Sequence, residues 1–465
     1  MTFIKSSDVY KHFTRQIFLS NTITVESKQQ NSIVRSESQC HYQSRPVTMN
    51  LRSNLKLLIF FSIFLLVRCL NPIVFIPGDG GAQLEAKLNK TDAVHYICQK
   101  TTNDFFNIWL NMELLVPLVI DCWIDNVKLI YDNQTRTTRN NDGVEIRVPG
   151  WGSTETVEWL DPSHAATGSY FYDISNTLMG LGHKRNVTVK GAPYDFRKAP
   201  NENVDFFTKL KTLIEDTYTE NNNTPVILIA HSMGGPMSLT FLNRQSQSWK
   251  DKYIQSLITL NGVWGGSMKA IKVYAIGDNL GSYVLRESIM RAEQITSPSL
   301  AWLLPSKLFW KPDEILVQTD KKNYTVNDLE EFFKGIGFTD GWEMRKDTEP
   351  YQINFHPPGV EVHCLYGSSV DTVERLYYKP GTFLDGYPTL IYGDGDGTVN
   401  RRSLEGCLHW RSLQKQKVFV QELPKVDHLQ ILHDKTMLKY ISEVIKKYSV
   451  AKRKESFWDK LSNLW

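Results

Sequence analysis

The 465-residue sequence predicts an α/β protein whose parallel sheet is covered by helices on both faces. Two observations support this prediction. Short runs of apolar, β-branched residues end in glycine-rich turns, which is typical of strands buried on both faces, and amphipathic helical patterns lie between the runs. The predicted strands are residues 72–77, 226–230, 256–260, 389–392 and 417–421.

Each predicted strand leads into residues that favour a turn. In chain order, the strands are followed by Gly-Asp-Gly-Gly at 78–81, His-Ser-Met-Gly-Gly at 231–235, Asn-Gly at 261–262, Gly-Asp-Gly-Asp-Gly at 393–397, and Asp-His at 427–428. Helices are predicted over 204–218 and 437–448, where apolar residues recur at helical spacing. Residues 451–465 follow as a C-terminal tail.

Two stretches do not fit the sheet. Residues 266 to about 385 form a long insertion between the third and fourth predicted strands, which predicts a cap or lid. Residues 94–125 concentrate large apolar side chains between two cysteines. They either form a buried satellite core or present an exposed patch that enters a lipid surface. The candidate membrane-contacting residues are Phe105, Phe106, Trp109, Leu110, Leu114 and Leu115.

The composition excludes several classes of protein. Hydrophobic residues make up 41% and charged residues 22%, so the chain is neither disordered nor fibrous. The 53 basic and 50 acidic residues nearly balance, which argues against a dedicated nucleic-acid binder.

The N-terminal region indicates the secretory pathway. The apolar run from Leu57 to Val67 would extend about 16 Å as a helix, about half of a bilayer core. It follows the basic residues Arg52 and Lys56, so residues 49–70 are predicted to be a signal peptide. Residues 1–48 are then a disordered or spurious extension. The alternative is a signal anchor with a cytoplasmic tail.

Secretion gives meaning to two further patterns. Glycosylation sequons occur at Asn89, Asn133, Asn186, Asn222 and Asn323. Four cysteines follow the predicted signal: Cys98, Cys122, Cys364 and Cys407. Three pairings of these cysteines are possible, and nearest-neighbour pairing would close two local loops.

Ser232 has the setting of a catalytic nucleophile. It follows an apolar strand and precedes a helical pattern within Ala230-His-Ser-Met-Gly234, a variant of Gly-x-Ser-x-Gly with alanine first. Such a serine needs a base and an orienting acid, which in this arrangement come later in the chain. His428 is the predicted base, with His433 as the alternative, and Asp396 is the predicted acid, with Asp394 as the competitor.

Other residues near these motifs have structural interpretations. His231 and His409 are expected to be packed side chains, and Asp427 a turn or cap residue. The backbone N–H groups of Met233 and Asp79 are the predicted oxyanion hole, because the glycines around Asp79 permit close approach of the backbone. A phosphate-binding loop at 78–81 is the alternative, but the required Lys-Ser/Thr is missing. The predicted chemistry needs no metal or cofactor.

Several segments together resemble a known family. In chain order they are PIVFIPGDGGAQLEAKL, DFFNIWLNMELLVPLVIDCWIDN, VPGWGSTETVEWLDPS, GAPYDFRKAP, AHSMGG, CLYG, YGDGDGTVN and LPKVDH. They look like the lecithin:cholesterol acyltransferase and lysosomal phospholipase A2 family over residues 71–450. The resemblance implies an α/β-hydrolase fold with a membrane-binding subdomain and a cap. It also implies a Ser232–Asp396–His428 triad, and disulfides Cys98–Cys122 and Cys364–Cys407.

The resemblance also implies an activity. The loop residue after Pro-Gly is Cys in the cholesterol-esterifying enzyme and Asp in the lysosomal phospholipase, and here it is Asp79. This favours an enzyme that takes acyl chains from membrane glycerophospholipids and passes them to water or to a lipid alcohol such as ceramide. Peripheral contact with a membrane, and a lysosomal or else extracellular location, are expected. A secreted sterol acyltransferase, a catalytically dead lipid-binding protein and a serine peptidase are the alternatives. Nothing in the sequence indicates the oligomeric state.

Overall fold

The computed structural model describes residues 70–117, 119–281 and 285–462. The predicted extension (1–48) and all of the predicted signal peptide (49–70) except its last residue lie outside the described residues. In the part of the chain that the structure describes, no helix is both long and apolar enough to cross a membrane.

The strands, in chain order, are β1 (Ile73–Ile76), β2 (Leu84–Leu88), β3 (Phe106–Trp109), β4 (Leu129–Asp132), β5 (Thr137–Asn140), β6 (Val144–Arg147), β7 (Val189–Gly191), β8 (Val226–His231), β9 (Ile254–Leu260), β10 (Val317–Gln318), β11 (Asn323–Tyr324), β12 (Val362–Ser368), β13 (Val370–Tyr377), β14 (Thr389–Gly395) and β15 (Val418–Pro424).

The α-helices, in chain order, are α1 (Ile120–Val127), α2 (Glu155–Glu158), α3 (Tyr172–Gly180), α4 (Val204–Glu220), α5 (Gly234–Asn243), α6 (Gln247–Tyr253), α7 (Met268–Ile276), α8 (Glu287–Gln294), α9 (Pro298–Trp302), α10 (Leu329–Gly335), α11 (Thr339–Ile353), α12 (Arg401–Leu404) and α13 (Lys435–Ser462). Short 3₁₀ helices cover Met112–Leu115, Ala166–Gly168, Glu405–Ser412 and Gln430–His433.

The central sheet is the predicted parallel sheet. It has six strands in the order β15-β12-β9-β8-β1-β7, and every neighbouring pair is parallel. Alternate residues of β1 face opposite sides: Val74 and Ile76 pack with residues of α4, whereas Ile73 and Phe75 pack with residues of α13. Both faces are therefore covered, which explains why the strand reads as one continuous apolar run.

One predicted strand was assigned to the wrong sheet. Residues 389–392 belong to β14, which pairs antiparallel with β13 at the edge of a separate sheet of order β11-β10-β13-β14. Ile391 and Tyr392 are exposed there. The fully buried strand β12 takes the expected place in the central sheet. A short apolar run does not reveal its partner, and β14 pairs with the strand that precedes it in the chain.

The predicted insertion therefore divides in two. The range 266–385 contains β12, so one part is the segment between β9 and β12, and the other is β13 with the loop that leads to β14. These parts share a hydrophobic core, in which Trp310, Phe332 and Phe333 pack with Leu376 and Tyr378 of β13 and the loop after it. Helix α4 and the start of α13 match the predicted helices, and α13 continues through residues 451–462 of the predicted tail.

Both nearest-neighbour disulfides are present. Cys98 is bonded to Cys122, which ties the loop before β3 to helix α1. Cys364 is bonded to Cys407, which ties β12 to the 3₁₀ helix at Glu405–Ser412.

Candidate active site

Ser232 lies at a sharp turn between β8 and α5. Its φ of +53° is in the left-handed region, which non-glycine residues seldom adopt. Glycines allow the chain to pack tightly around it: a Cβ at Gly78 would lie 2.6 Å from Ser232 Cβ, and a Cβ at Gly234 would lie 2.3 Å from the Ile76 carbonyl oxygen. The turn therefore has the strained geometry that exposes a nucleophilic serine between a strand and a helix.

The structure brings the three residues of the predicted triad together. His428 Nε2 lies 2.9 Å from Ser232 Oγ, and His428 Nδ1 lies 2.7 Å from Asp396 Oδ2. Asp396 is fully buried, and its Oδ1 accepts hydrogen bonds from the backbone N–H groups of Thr398 at 3.0 Å and Val399 at 2.7 Å. These bonds fix the carboxylate so that it faces the imidazole.

The competing acid and base lie elsewhere. Asp394 accepts hydrogen bonds from Arg401 Nη1 at 2.9 Å and Ser369 N–H at 2.7 Å. His433 Nδ1 lies 2.9 Å from Asp173 Oδ2. Neither residue therefore occupies the position next to Ser232 that Asp396 and His428 share.

Two further residues have the structural roles expected from the sequence. Asp427 Oδ1 accepts hydrogen bonds from the backbone N–H groups of Leu429 and Gln430, which is a turn contact. The ring of His409 packs against Phe309 and Phe355.

A buried hydrogen-bond chain links the loop after β1 to His428. The Tyr170 hydroxyl accepts a bond from Gly78 N–H at 3.0 Å and lies 2.5 Å from His231 Nδ1. His231 Nε2 lies 2.9 Å from the His428 carbonyl oxygen, which also accepts a bond from Asn261 Nδ2 at 3.1 Å. The backbone of His428 is thus held from two sides.

The donor and acceptor of each hydrogen bond between Gly78, Tyr170, His231 and His428 can be assigned. Burial, together with the nearby His428, holds the pKa of His231 well below its usual range, so the imidazole is neutral. Because Nε2 faces a carbonyl oxygen, Nε2 carries the proton and Nδ1 accepts. The Tyr170 hydroxyl therefore donates to His231 and accepts from Gly78. No local pattern in the sequence indicates Tyr170, because its partners lie 92 and 61 residues away.

The predicted oxyanion donors lie on either side of Ser232. Met233 is buried and immediately precedes α5, and Asp79 follows Gly78 in the loop after β1. Within the described residues, neither the N–H of Asp79 nor that of Met233 donates a hydrogen bond to protein. Both groups remain available to a ligand.

The side chain of Asp79 is electrostatically unusual. It is open to a cavity yet surrounded by protein, and this partial loss of water raises the pKa of its carboxyl to about 6. The Gly80 backbone, Lys269 and His428 oppose the rise.

The cavity beside Ser232 has a volume of about 540 Å³. Its wall includes Ser232, His428 and Asp79, and it is otherwise largely apolar. The apolar part of the wall includes Trp109, Leu110, Leu115, Trp123, Val273 and Leu300. A space of this kind suits a long hydrocarbon chain next to a reactive hydroxyl.

The aromatic segment 94–125 is split between this wall and the surface. Trp109 lines the cavity, and its Nε1 donates to the Gly80 carbonyl at 2.8 Å. Leu115 is 4% exposed, so its predicted contact with a membrane is wrong: the side chain packs in a hydrophobic core and borders the cavity. Among the described residues of the segment, the exposed large apolar ones are Val94, Tyr96, Ile97, Met112 and Val116.

The other predicted membrane-contacting residues are partly buried. Phe106 and Leu114 pack against the same core as Leu110, and Phe105 lies under the guanidinium of Arg147 at 4.0 Å. The sequence located the aromatic segment but could not separate its cavity-facing residues from its exposed ones.

The described features define a class of protein. A parallel sheet with a serine at the turn after one strand, in hydrogen-bond contact with a histidine and a buried aspartate, is the arrangement of a serine hydrolase with the α/β-hydrolase fold.

Comparisons with known proteins identify the family. The family profile described as lecithin:cholesterol acyltransferase matches residues 105–435. Lysosomal phospholipase A and acyltransferase of Homo sapiens is 48% identical over 80% of this chain and 90% of its own length. Its Mus musculus counterpart is 47% identical over the same shares. Phosphatidylcholine-sterol acyltransferase of Gallus gallus is 43% identical over 78% of this chain and 87% of its own length. The chain belongs to the lecithin:cholesterol acyltransferase family.

Proposed function

We propose that the protein is a phospholipase A and O-acyltransferase. It cleaves a fatty acyl ester of a membrane glycerophospholipid and passes the acyl group to water or to a lipid alcohol such as ceramide. The contact of Ser232 with His428 and Asp396, beside an apolar cavity of about 540 Å³, is the observation that carries this proposal. The names of the phospholipase and acyltransferase relatives support it.

Acylation begins at Ser232. His428 Nε2 takes the hydroxyl proton as Oγ attacks the ester carbonyl, and Asp396 holds the imidazole in the tautomer that can accept this proton. The N–H groups of Asp79 and Met233 stabilise the oxyanion, each by about 3 kcal/mol if they act as other oxyanion donors do. The tetrahedral adduct then collapses, and the lyso-lipid oxygen leaves with the proton from His428.

Deacylation repeats these steps with a new nucleophile. Water or the hydroxyl of a lipid alcohol gives its proton to His428 and attacks the acyl-serine carbonyl. The adduct collapses, Ser232 Oγ recovers its proton, and either a free fatty acid or an acylated alcohol leaves. The choice between the two products depends on which acceptor occupies the cavity.

The substrate lies in a membrane, so the enzyme must contact its surface. Tyr96 is 91% exposed, and Val94, Ile97, Met112 and Val116 are also exposed on the segment that the Cys98–Cys122 disulfide closes. Exposed apolar side chains of this kind favour peripheral contact with lipid.

The disulfides and the glycosylation sequons indicate the cellular compartment. Two disulfides favour an oxidising compartment, and all five sequon asparagines lie on exposed positions. We propose that the protein is a glycoprotein of the secretory pathway that works in the lysosome, as the names of its relatives suggest.

The test is an assay of the purified protein on mixed phospholipid–ceramide vesicles at acidic and at neutral pH, with Ser232→Ala beside it. We expect free fatty acid and acyl-ceramide, formed mainly at acidic pH, and loss of both products in the variant with vesicle binding retained. Sterol ester formed at neutral pH would favour a secreted sterol acyltransferase instead. Turnover by Ser232→Ala near that of the unchanged protein would contradict the assignment of the nucleophile.

A further inference from the structure

Among the described residues, Glu293 is an acid without a hydrogen-bond or ion-pair partner for its carboxyl group, and it lies in the wall of the active-site cavity. It lies in α8, is 7% exposed and lines the same cavity as Ser232. Within the part of the chain that the structure describes, no hydrogen bond or ion pair involves its carboxyl oxygens. A buried polar group usually has a hydrogen-bond partner, so a carboxyl that lacks one and borders a cavity indicates a ligand.

Arg197 is the cation whose charge acts on Glu293, but it does not serve as that partner. Arg197 is buried, and its guanidinium donates to Asp195 Oδ1 at 2.9 Å and Oδ2 at 2.7 Å, to the Val127 carbonyl at 2.8 Å and to Asn140 Oδ1 at 3.0 Å. Four of its five N–H groups are thus used by other residues.

The surroundings keep Glu293 uncharged. Burial raises the pKa of its carboxyl to about 8, against the attraction of Arg197, and the nearby carboxylates Asp79 and Asp195 add to the rise. At acidic and neutral pH the group is therefore a carboxylic acid. It offers one O–H donor and one carbonyl acceptor to the cavity.

This pair of groups selects the chemistry of the ligand. A hydroxyl or a secondary amide both donates and accepts, so either one can satisfy the acid completely. A phosphate ester accepts only, and its charge would be repelled by Asp195 and by Asp79 once it is ionised. The cavity cation Lys269 lies with Lys272 against Asp278, and neither lysine forms an ion pair with Glu293.

We propose that Glu293 forms a polar subsite that binds the hydroxyl or amide of an uncharged lipid alcohol, the acyl acceptor, in the cavity beside Ser232. This inference rests on the proposed function and deepens it, because it names the residue that recognises the acceptor. An acceptor held there competes with water for the acyl-serine, so the subsite acts on the partition between acyl transfer and hydrolysis.

The test measures both products, acyl-ceramide and free fatty acid, in the same reaction and compares their ratio between variants. Glu293→Gln keeps a donor and an acceptor, whereas Glu293→Leu removes both. On phospholipid vesicles that contain ceramide, we expect the ratio of acyl-ceramide to free fatty acid to fall about tenfold in the leucine variant, which corresponds to about 1.4 kcal/mol of lost acceptor binding. The glutamine variant should stay within about twofold to threefold of the unchanged protein, because amides replace a neutral acid well.

The controls separate this subsite from a structural role. Ser288→Ala, on the exposed side of α8, should keep the ratio. Partial misfolding lowers both products together and leaves the ratio intact, so the measurement does not depend on the folded fraction. A leucine variant with the unchanged ratio, or a glutamine variant as impaired as leucine, would overturn the proposal. Absence of both products in the unchanged protein would instead contradict the proposed function.

Discussion

Asp396 and Asp394 lie two residues apart in one glycine-rich turn, yet their environments differ. Asp396 is buried against His428, and Asp394 is half exposed and paired with Arg401. We expect Asp396→Asn to lower kcat by about 10⁴-fold, because an amide favours the wrong imidazole tautomer. Asp394→Asn is the matched control and should stay within a few-fold of the unchanged protein. Similar losses in both variants, measured on a soluble ester, would contradict the assignment of the acid.

The carboxyl of Asp79 predicts how the activity depends on pH. Its pKa of about 6 lies above the usual 3.8, so the group is neutral below about pH 6 and ionised above it. An ionised carboxylate beside the oxyanion donors would oppose the negative charge that develops there. Activity should therefore fall as pH rises through about 6, and Asp79→Asn should retain activity above that pH. The pH profile of kcat/KM measures this, with the exposed Asp104→Asn as control. An unchanged pH profile in Asp79→Asn would show that the titration of another group causes the fall in activity above about pH 6.

The Tyr170 hydroxyl positions the loop that carries Asp79. In Tyr170→Phe the buried Gly78 N–H loses its acceptor, which costs about 1–3 kcal/mol. We expect kcat to fall about tenfold or more with a smaller change in KM, because the loop contacts the oxyanion and not the substrate tail. The rate at which an organophosphonate modifies Ser232 should fall in parallel. Tyr172→Phe removes a hydroxyl two residues away and is the matched control. A variant that loses thermal stability but keeps its kcat would indicate a structural role alone.

At the scale of elements, the aromatic segment 94–125 serves two surfaces. Trp109 faces the cavity, Met112 is exposed but also borders the cavity, and Ile97 and Val116 face solvent. We expect the double change Ile97→Ser with Val116→Ser to lower activity on vesicles roughly tenfold, as about 1–2 kcal/mol of apolar contact is lost, and to spare a soluble ester. Trp109→Ser should lower both activities. Equal losses of activity on both substrates in the double variant would indicate that these residues support the fold or the active site and not the contact with lipid.

Helices and strands whose signal is local were predicted well. The amphipathic pattern over 204–218 corresponds to α4, and the apolar runs at 72–77 and 226–230 correspond to β1 and β8. These runs are readable because burial on both faces requires a continuous apolar sequence. Strand β12 was not predicted, because its sequence, Val-His-Cys-Leu-Tyr-Gly-Ser, mixes polar and apolar residues although all seven are buried. There, His363 hydrogen-bonds to the hydroxyls of Tyr440 and Tyr448 in α13.

At the scale of the whole molecule, the site unites distant parts of the chain. Ser232 and His428 are 196 residues apart, and each lies in a turn that follows a strand of the central sheet. Parallel strands place their carboxyl ends at one edge, so a motif after each strand tends to meet the others there. That rule allowed the triad to be predicted from motif order, whereas Asp396 follows β14 of the smaller sheet and reaches the same edge through the backbone bond from His428 N–H to its carbonyl at 2.9 Å.

The sequence by itself determined the fold class, the family and the candidate triad of Ser232, Asp396 and His428. Each of these depends on short segments whose pattern reflects local burial and turn geometry. The tertiary structure alone decided the sheet to which residues 389–392 belong, the division of the aromatic segment between cavity and surface, and the placement of Tyr170 and Glu293 beside the candidate site. These features depend on contacts between segments that are far apart in the chain. Their energies arise from burial and charge in three dimensions, and no pattern of neighbouring residues records them.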